Sequence, residues 1–145
     1  MTGVVVLVSA LALAAVYGLL HRRNDGRLKE TRAGSRTARR EDLRPLIGDL
    51  GGVAGERATL LQFSSAFCAP CRATKRTLAD VAGMVEGVQH VEVDAESNLD
   101  LVRRLGILKT PTTLVLDAQG REVLRASGQP RKADVLHALA QAVPS

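Results

Sequence analysis

The 145-residue chain contains two cysteines, Cys68 and Cys71, three positions apart. Such a pair can cycle between dithiol and disulfide, because a thiolate attacks a disulfide sulfur and a second thiol resolves the product. The surrounding stretch, Phe67-Cys68-Ala69-Pro70-Cys71, lies where an apolar run (Thr59 to Phe63) gives way to a helical pattern (Arg72 to Val85). Strand, Cys-x-x-Cys, helix is the layout of a dithiol redox site. The first helical turn has unpaired backbone N–H groups and the positive end of the helix dipole, which favour a thiolate at Cys68. Pro70 rigidifies the turn. Cys68 is therefore expected to attack and Cys71 to resolve. Two inert core thiols would leave both Pro70 and the helix start unexplained. A zinc site needs more ligands, and His21, His90 and His137 are scattered. No metal and no cofactor is expected.

The elements that must position this pair follow from periodicity. Residues 58–63 read as a central strand, apolar on both faces apart from Gln62. A helix is expected over 69–85, with Leu78, Val81, Ala82 and Val85 on one stripe. Residues 88–93 read as a strand, and Asn98 as the cap of a helix ending before Gly106. Residues 112–116 and 122–127 form a hairpin around Asp117-Ala118-Gln119-Gly120. A last helix spans 132–143, with Val135, Leu136, Leu139 and Val143 expected inside. Residues 41–56 leave open a short helix or an irregular edge element, since Pro45, Gly48, Gly51 and Gly52 interrupt the spacing of Leu43, Leu46, Ile47 and Leu50. The order β-α-β-α-β-β-α gives an α/β fold: a four-stranded mixed sheet flanked by helices, its first two strands parallel because a helix joins them.

Phe67-Cys68-Ala69-Pro70-Cys71, with Lys109-Thr110-Pro111-Thr112 some forty residues later, resembles the Trp-Cys-Gly-Pro-Cys site and cis-proline loop of the thioredoxin family. The resemblance covers roughly 58–143. It implies the thioredoxin fold, with Cys68 at the carboxyl end of a central strand, and thiol–disulfide oxidoreductase activity. It also implies a cis peptide at Thr110-Pro111 and a substrate groove formed by Phe67, Ala69, Pro70, Thr110, Pro111 and Gly128. Phe67 replaces the usual Trp, which keeps an apolar wall and loses an indole N–H. A second departure concerns proton handling. The family usually has a buried Asp six residues before the first cysteine and a Lys on the adjacent strand. Gln62 and His90 occupy those positions here. Gln cannot take a proton, so His90 is a candidate proton acceptor for Cys71, with water or a plain structural role for His90 as the other readings.

The sequence pI of 9.9 invites a nucleic-acid reading, but the charge is concentrated. Residues 21–40 hold eight basic and two acidic side chains, a net of +6, whereas residues 41–145 carry −1. The domain is near neutral, and nucleic acid is not an expected partner. Thr2–Leu20 has no charged side chain; as a helix its nineteen residues span ~28 Å, enough to cross a bilayer core. The run lacks a basic n-region and a small-residue site after it, so an uncleaved anchor is expected rather than a signal peptide. The basic residues follow the span and none precedes it, which places the domain on the cytoplasmic side; the alternative is extracytoplasmic. The expected organisation is an anchor over 1–20, a basic juxtamembrane linker over 21–40 and a thioredoxin-like domain over 41–145. The expected function is reduction of protein disulfides at the membrane, with a thiol reductant as second partner. An extracytoplasmic reductase or oxidase, and a non-catalytic adaptor or redox sensor, are the competing readings.

Overall fold

The computed structural model describes residues 2–24, 26–30 and 41–143. Helix α1 (Thr2–Asn24) carries the apolar run and exposes it, with the large apolar side chains from Val4 to Leu20 each more than half accessible. Its segment Gly3–His21 has a mean hydropathy of 2.5, the length and composition of a membrane span and equally of a signal sequence.

Four strands make the expected mixed sheet. Strand β2 (Ala58–Ser64) is its centre, fully buried, with β3 (Val88–Asp94) parallel on one side and β4 (Thr112–Asp117) antiparallel on the other. Strand β5 (Glu122–Ser127) pairs antiparallel with β4. Helix α3 (Ala69–Met84) crosses from β2 to β3, and α4 (Leu99–Arg104) connects β3 to β4. Helix α5 (Lys132–Ala142) closes the chain; Val135 and Leu139 are buried, while Leu136 and Val143 are only partly so. Asn98 is the N-cap residue of α4, as expected, but its side chain makes no capping bond: its amide N–H donates to the Asp94 carbonyl at 2.8 Å.

Two regions differ from the sequence reading. The open question over 41–56 resolves as a short helix, α2 (Arg44–Asp49), with Pro45 in its first turn; Leu43, its N-cap residue, and Ile47 are completely buried. The expected linker over 21–40 is not all linker. Its first residues are the last turn of α1, and Leu28–Glu30 form a fifth strand, β1, antiparallel to β5 at the sheet edge. Leu28 packs onto the core beside α5. Three residues are too short to show a period of two, so charge and linker composition dominated the sequence signal. Of the basic run, Arg32, Arg36, Arg39 and Arg40 lie outside the described residues.

Because successive side chains alternate across a strand, the sheet has two inner faces. One packs on α2 and α4 through Leu61, Phe63, Val91, Val93, Leu114 and Leu116. The other packs on α3 and α5 through Ala58, Leu60, Val88 and Val115, met by Leu78 and Val81.

Candidate active site

Beyond β2 the chain turns through Ser65-Ala66-Phe67 and enters α3 at Cys68, the residue that caps it. Cys68 and Cys71 are joined in a disulfide, with their Cα atoms 5.2 Å apart. The Cys71 backbone N–H donates to Cys68 Sγ at 3.2 Å. A helix-start N–H thus points at the sulfur where a thiolate would form. The two cysteines are unequal: Cys68 is partly exposed, whereas Cys71 is 2 % accessible and lies on the buried stripe Cys71-Thr74-Leu78-Val81.

The loop before β4 faces this turn. Thr110-Pro111 is a cis peptide, and the hydroxyls of Ser65 and Thr110, 2.9 Å apart, join the two loops. Gly128 N–H donates to the Pro111 carbonyl at 2.7 Å from a backbone with φ of +98°, a conformation that suits glycine. Phe67, Thr110, Pro111 and Gly128 therefore come together with Cys68 at one end of the sheet, alongside Ala69 and Pro70 in the first turn of α3. Phe67 is 100 % exposed, and so, at 96 %, is Leu108, which sequence reasoning passed over.

Beneath Cys71 lies a buried polar layer. Gln62, fully buried, donates from its amide nitrogen to the Cys71 carbonyl and to Ser64 Oγ, both at 2.9 Å. Its amide oxygen faces His90 Nε2 at 3.0 Å. A carbonyl can only accept, so the Cys71 contact fixes the orientation of the amide, and His90 Nε2 must be the donor. Burial pushes the imidazole below its ordinary value; the Glu92 carboxylate opposes this and the Lys75 ammonium adds to it. His90 is thus neutral at pH 7 with its Nε2 proton committed to Gln62. It makes no hydrogen bond to Cys71 Sγ, and Nε2 is no proton acceptor in this arrangement.

A cleft of about 440 Å³ opens beside this layer, lined by both cysteines, Lys75, Glu92 and Asp94. Lys75 Nζ and Glu92 Oε2 pair at 2.6 Å. Burial raises the Glu92 carboxyl, but hydrogen bonds from Lys75 and Ser64, with the charges of Lys75 and His90, outweigh it and leave Glu92 below its usual range. Lys75 was findable as Cys71 plus four, one turn along the same helix face. Glu92 was findable as His90 plus two, on the same strand face.

The profile of the thioredoxin-like domain family matches residues 52–143. The chain belongs to that family. It is 28 % identical over 95 residues to the thioredoxin of Mycoplasma pneumoniae, an alignment covering 66 % of this chain and 90 % of that one. Among solved structures it is similar to chloroplastic thioredoxin z, with a TM-score of 0.55 and 27 % identity, covering 60 % of this chain and 79 % of the other. It shares its fold with Fasciola hepatica thioredoxin, at a TM-score of 0.56 and 22 % identity, covering 69 % and 90 %. With the Cys68–Cys71 pair in place, the thioredoxin-like domain is a thiol–disulfide oxidoreductase.

Proposed function

We propose that this protein reduces protein disulfides from a membrane-tethered position, with α1 as an uncleaved anchor and the thioredoxin-like domain on the cytoplasmic side. The observation that carries the chemistry is the unequal exposure of the two sulfurs at the start of α3. Cys68, reachable and aimed at by the Cys71 N–H, attacks a client disulfide as thiolate and forms a mixed disulfide, expelling one client thiolate. Cys71, deprotonated in turn, attacks Cys68 Sγ, releases the second client sulfur and leaves the disulfide seen in the structure. Two electrons and two thiols are exchanged, and an external thiol reductant restores the pair. Phe67, Ala69, Pro70, Thr110, Pro111 and Gly128 form the groove in which an extended client segment lies beside Cys68.

His90 and Gln62 are positioning residues. The link from His90 through Gln62 to the Cys71 carbonyl holds the first turn of α3, and Cys71 with it, on the sheet. The tethering rests on the length and composition of Gly3–His21, and the sidedness on the basic residues that follow it, Arg22 and Arg23 first.

The test is catalysed reduction of a protein disulfide such as insulin by the reduced full chain in liposomes. Turnover is expected, and Cys68→Ser is expected to abolish it. Absence of turnover in the unaltered chain would leave an adaptor or redox sensor. Reporter fusions at Ser145 are expected to be active only on the cytoplasmic side.

A further inference from the structure

The sheet topology fixes where the anchor enters the domain. Strand β5 runs in the same direction as β2, because each is antiparallel to β4, so Ser127 lies at the end of the sheet where β2 delivers Cys68. Strand β1 is antiparallel to β5, so its first residue, Leu28, is also at that end. Gly26 N–H donates to the Ser127 carbonyl at 2.8 Å, and the next residue, Gly128, is bonded to Pro111 of the active-site loop. The entry is closely packed. Gly26 is buried with φ of +77°, and a Cβ there would stand 1.9 Å from the Gln129 carbonyl oxygen.

Distances follow from chain geometry. From Asn24, the end of α1, to Leu28 there are four residue steps, at most ~14 Å when fully extended. From β1 to β2 there are three strand spacings, ~14 Å. The far end of β5 lies ~17 Å further from the anchor than Ser127 does. A tether this short, attached at the redox end, turns that end toward the bilayer.

We infer that α1 presents the Cys68–Cys71 edge of the domain to the membrane surface, and that its clients are disulfides of integral membrane proteins close to the headgroups. The inference rests on the anchoring reading above. Phe67, next to Cys68, and Leu108, in the loop that leads into β4, are exposed at the same end of the sheet.

The test uses the full chain with Cys68→Ser and Cys71→Ser, carrying one added cysteine at either Leu108 (Leu108→Cys) or Glu86 (Glu86→Cys). Position 86 is exposed and precedes the start of β3, at the opposite end of the sheet. Each is labelled with a small fluorophore, reconstituted into phosphatidylcholine vesicles and recovered by flotation. Spin-labelled headgroups are expected to quench the fluorophore at 108 several-fold more than that at 86. Equal quenching, or stronger quenching at 86, in a protein that floats overturns the orientation and leaves the anchor standing. A protein that does not float removes both. In the unaltered reduced chain, a transmembrane peptide with its disulfide at the headgroups is expected to be reduced ~10-fold faster or more than one raised on a twenty-residue helical spacer, ~30 Å long. A faster rate on the raised disulfide overturns the proposal.

Discussion

Leu61 and Gln62 are neighbours on β2, both fully buried, and they point to opposite faces of the same sheet. Leu61 enters an aliphatic cluster with Val91, Leu101 and Leu114 that continues through Phe63 and Val93 to the redox end. Gln62 enters a face that is apolar only at the far end. From Ala58, Leu60 and Val88 it changes to Gln62, Ser64, His90 and Glu92 under Cys71, with the hydroxyls of Thr74 and Thr113 buried and without a partner among the described residues. A buried hydroxyl without a partner costs ~1–3 kcal/mol. One face is therefore apolar along its whole length, and the other gives up apolar packing at the redox end, where the chemistry requires polar groups.

Leu61→Ala should have the largest effect on stability. It removes a fully buried side chain from the aliphatic face, and a loss of ~2–5 kcal/mol is expected in denaturant unfolding. Resolution of a mixed disulfide, measured per folded molecule, should be nearly unchanged. A variant that folds well but resolves slowly would erase the distinction between the faces.

Gln62→Leu, one residue along, should invert that pattern. It strands the His90 Nε2 proton and frees the Cys71 carbonyl, at a cost of ~1–3 kcal/mol in stability. Resolution by Cys71 should slow by about tenfold, the lower part of what mispositioning a reacting group costs, while the first attack by Cys68 holds its rate. Rapid quench with thiol alkylation separates the two steps. Equal slowing of both would place Gln62 in the fold and not in the positioning of Cys71.

The smallest effect concerns pH. His90 is held below its ordinary value, so the unfolded chain takes up the proton first as pH falls. The stability from keeping it neutral is complete above the unfolded value of about 6.5 and is lost as pH drops through that value toward the folded one. Glu92, whose folded value is depressed, contributes stability that is lost only below its own unfolded value of 4.5, so it does not mask this window. Unfolding midpoints should decline between pH 7 and pH 5, and His90→Gln should flatten the decline. An identical slope in the variant would show that the imidazole is not the group responsible.

These differences also mark what a sequence can show. The cysteine turn, the order of the elements and the parallel β2–β3 pair were legible from local spacing, whereas the cis-proline loop and the rest of the sheet order came from the resemblance to the thioredoxin family. Gln62 was visible as an interruption in an apolar strand. Its partners were not, because the contacts to the Cys71 carbonyl and to His90 span nine and twenty-eight residues of chain and depend on which way an amide turns. For the same reason His90 could be placed on its strand from the sequence, but its Nε2 tautomer could not. Strand β1 escaped because Leu28-Lys29-Glu30 has one apolar residue and a basic neighbourhood, and only the exposed edge of β5 supplies its pairing.

The central claim is that the exposed sulfur attacks and the buried one resolves. It is tested most directly by mixing Cys68→Ser and Cys71→Ser variants, each reduced, with a protein disulfide and identifying the trapped species by mass spectrometry. The account predicts a long-lived mixed disulfide through Cys68 in the Cys71→Ser chain and none in the Cys68→Ser chain. A stable adduct through Cys71, or equal trapping by both variants, would contradict it.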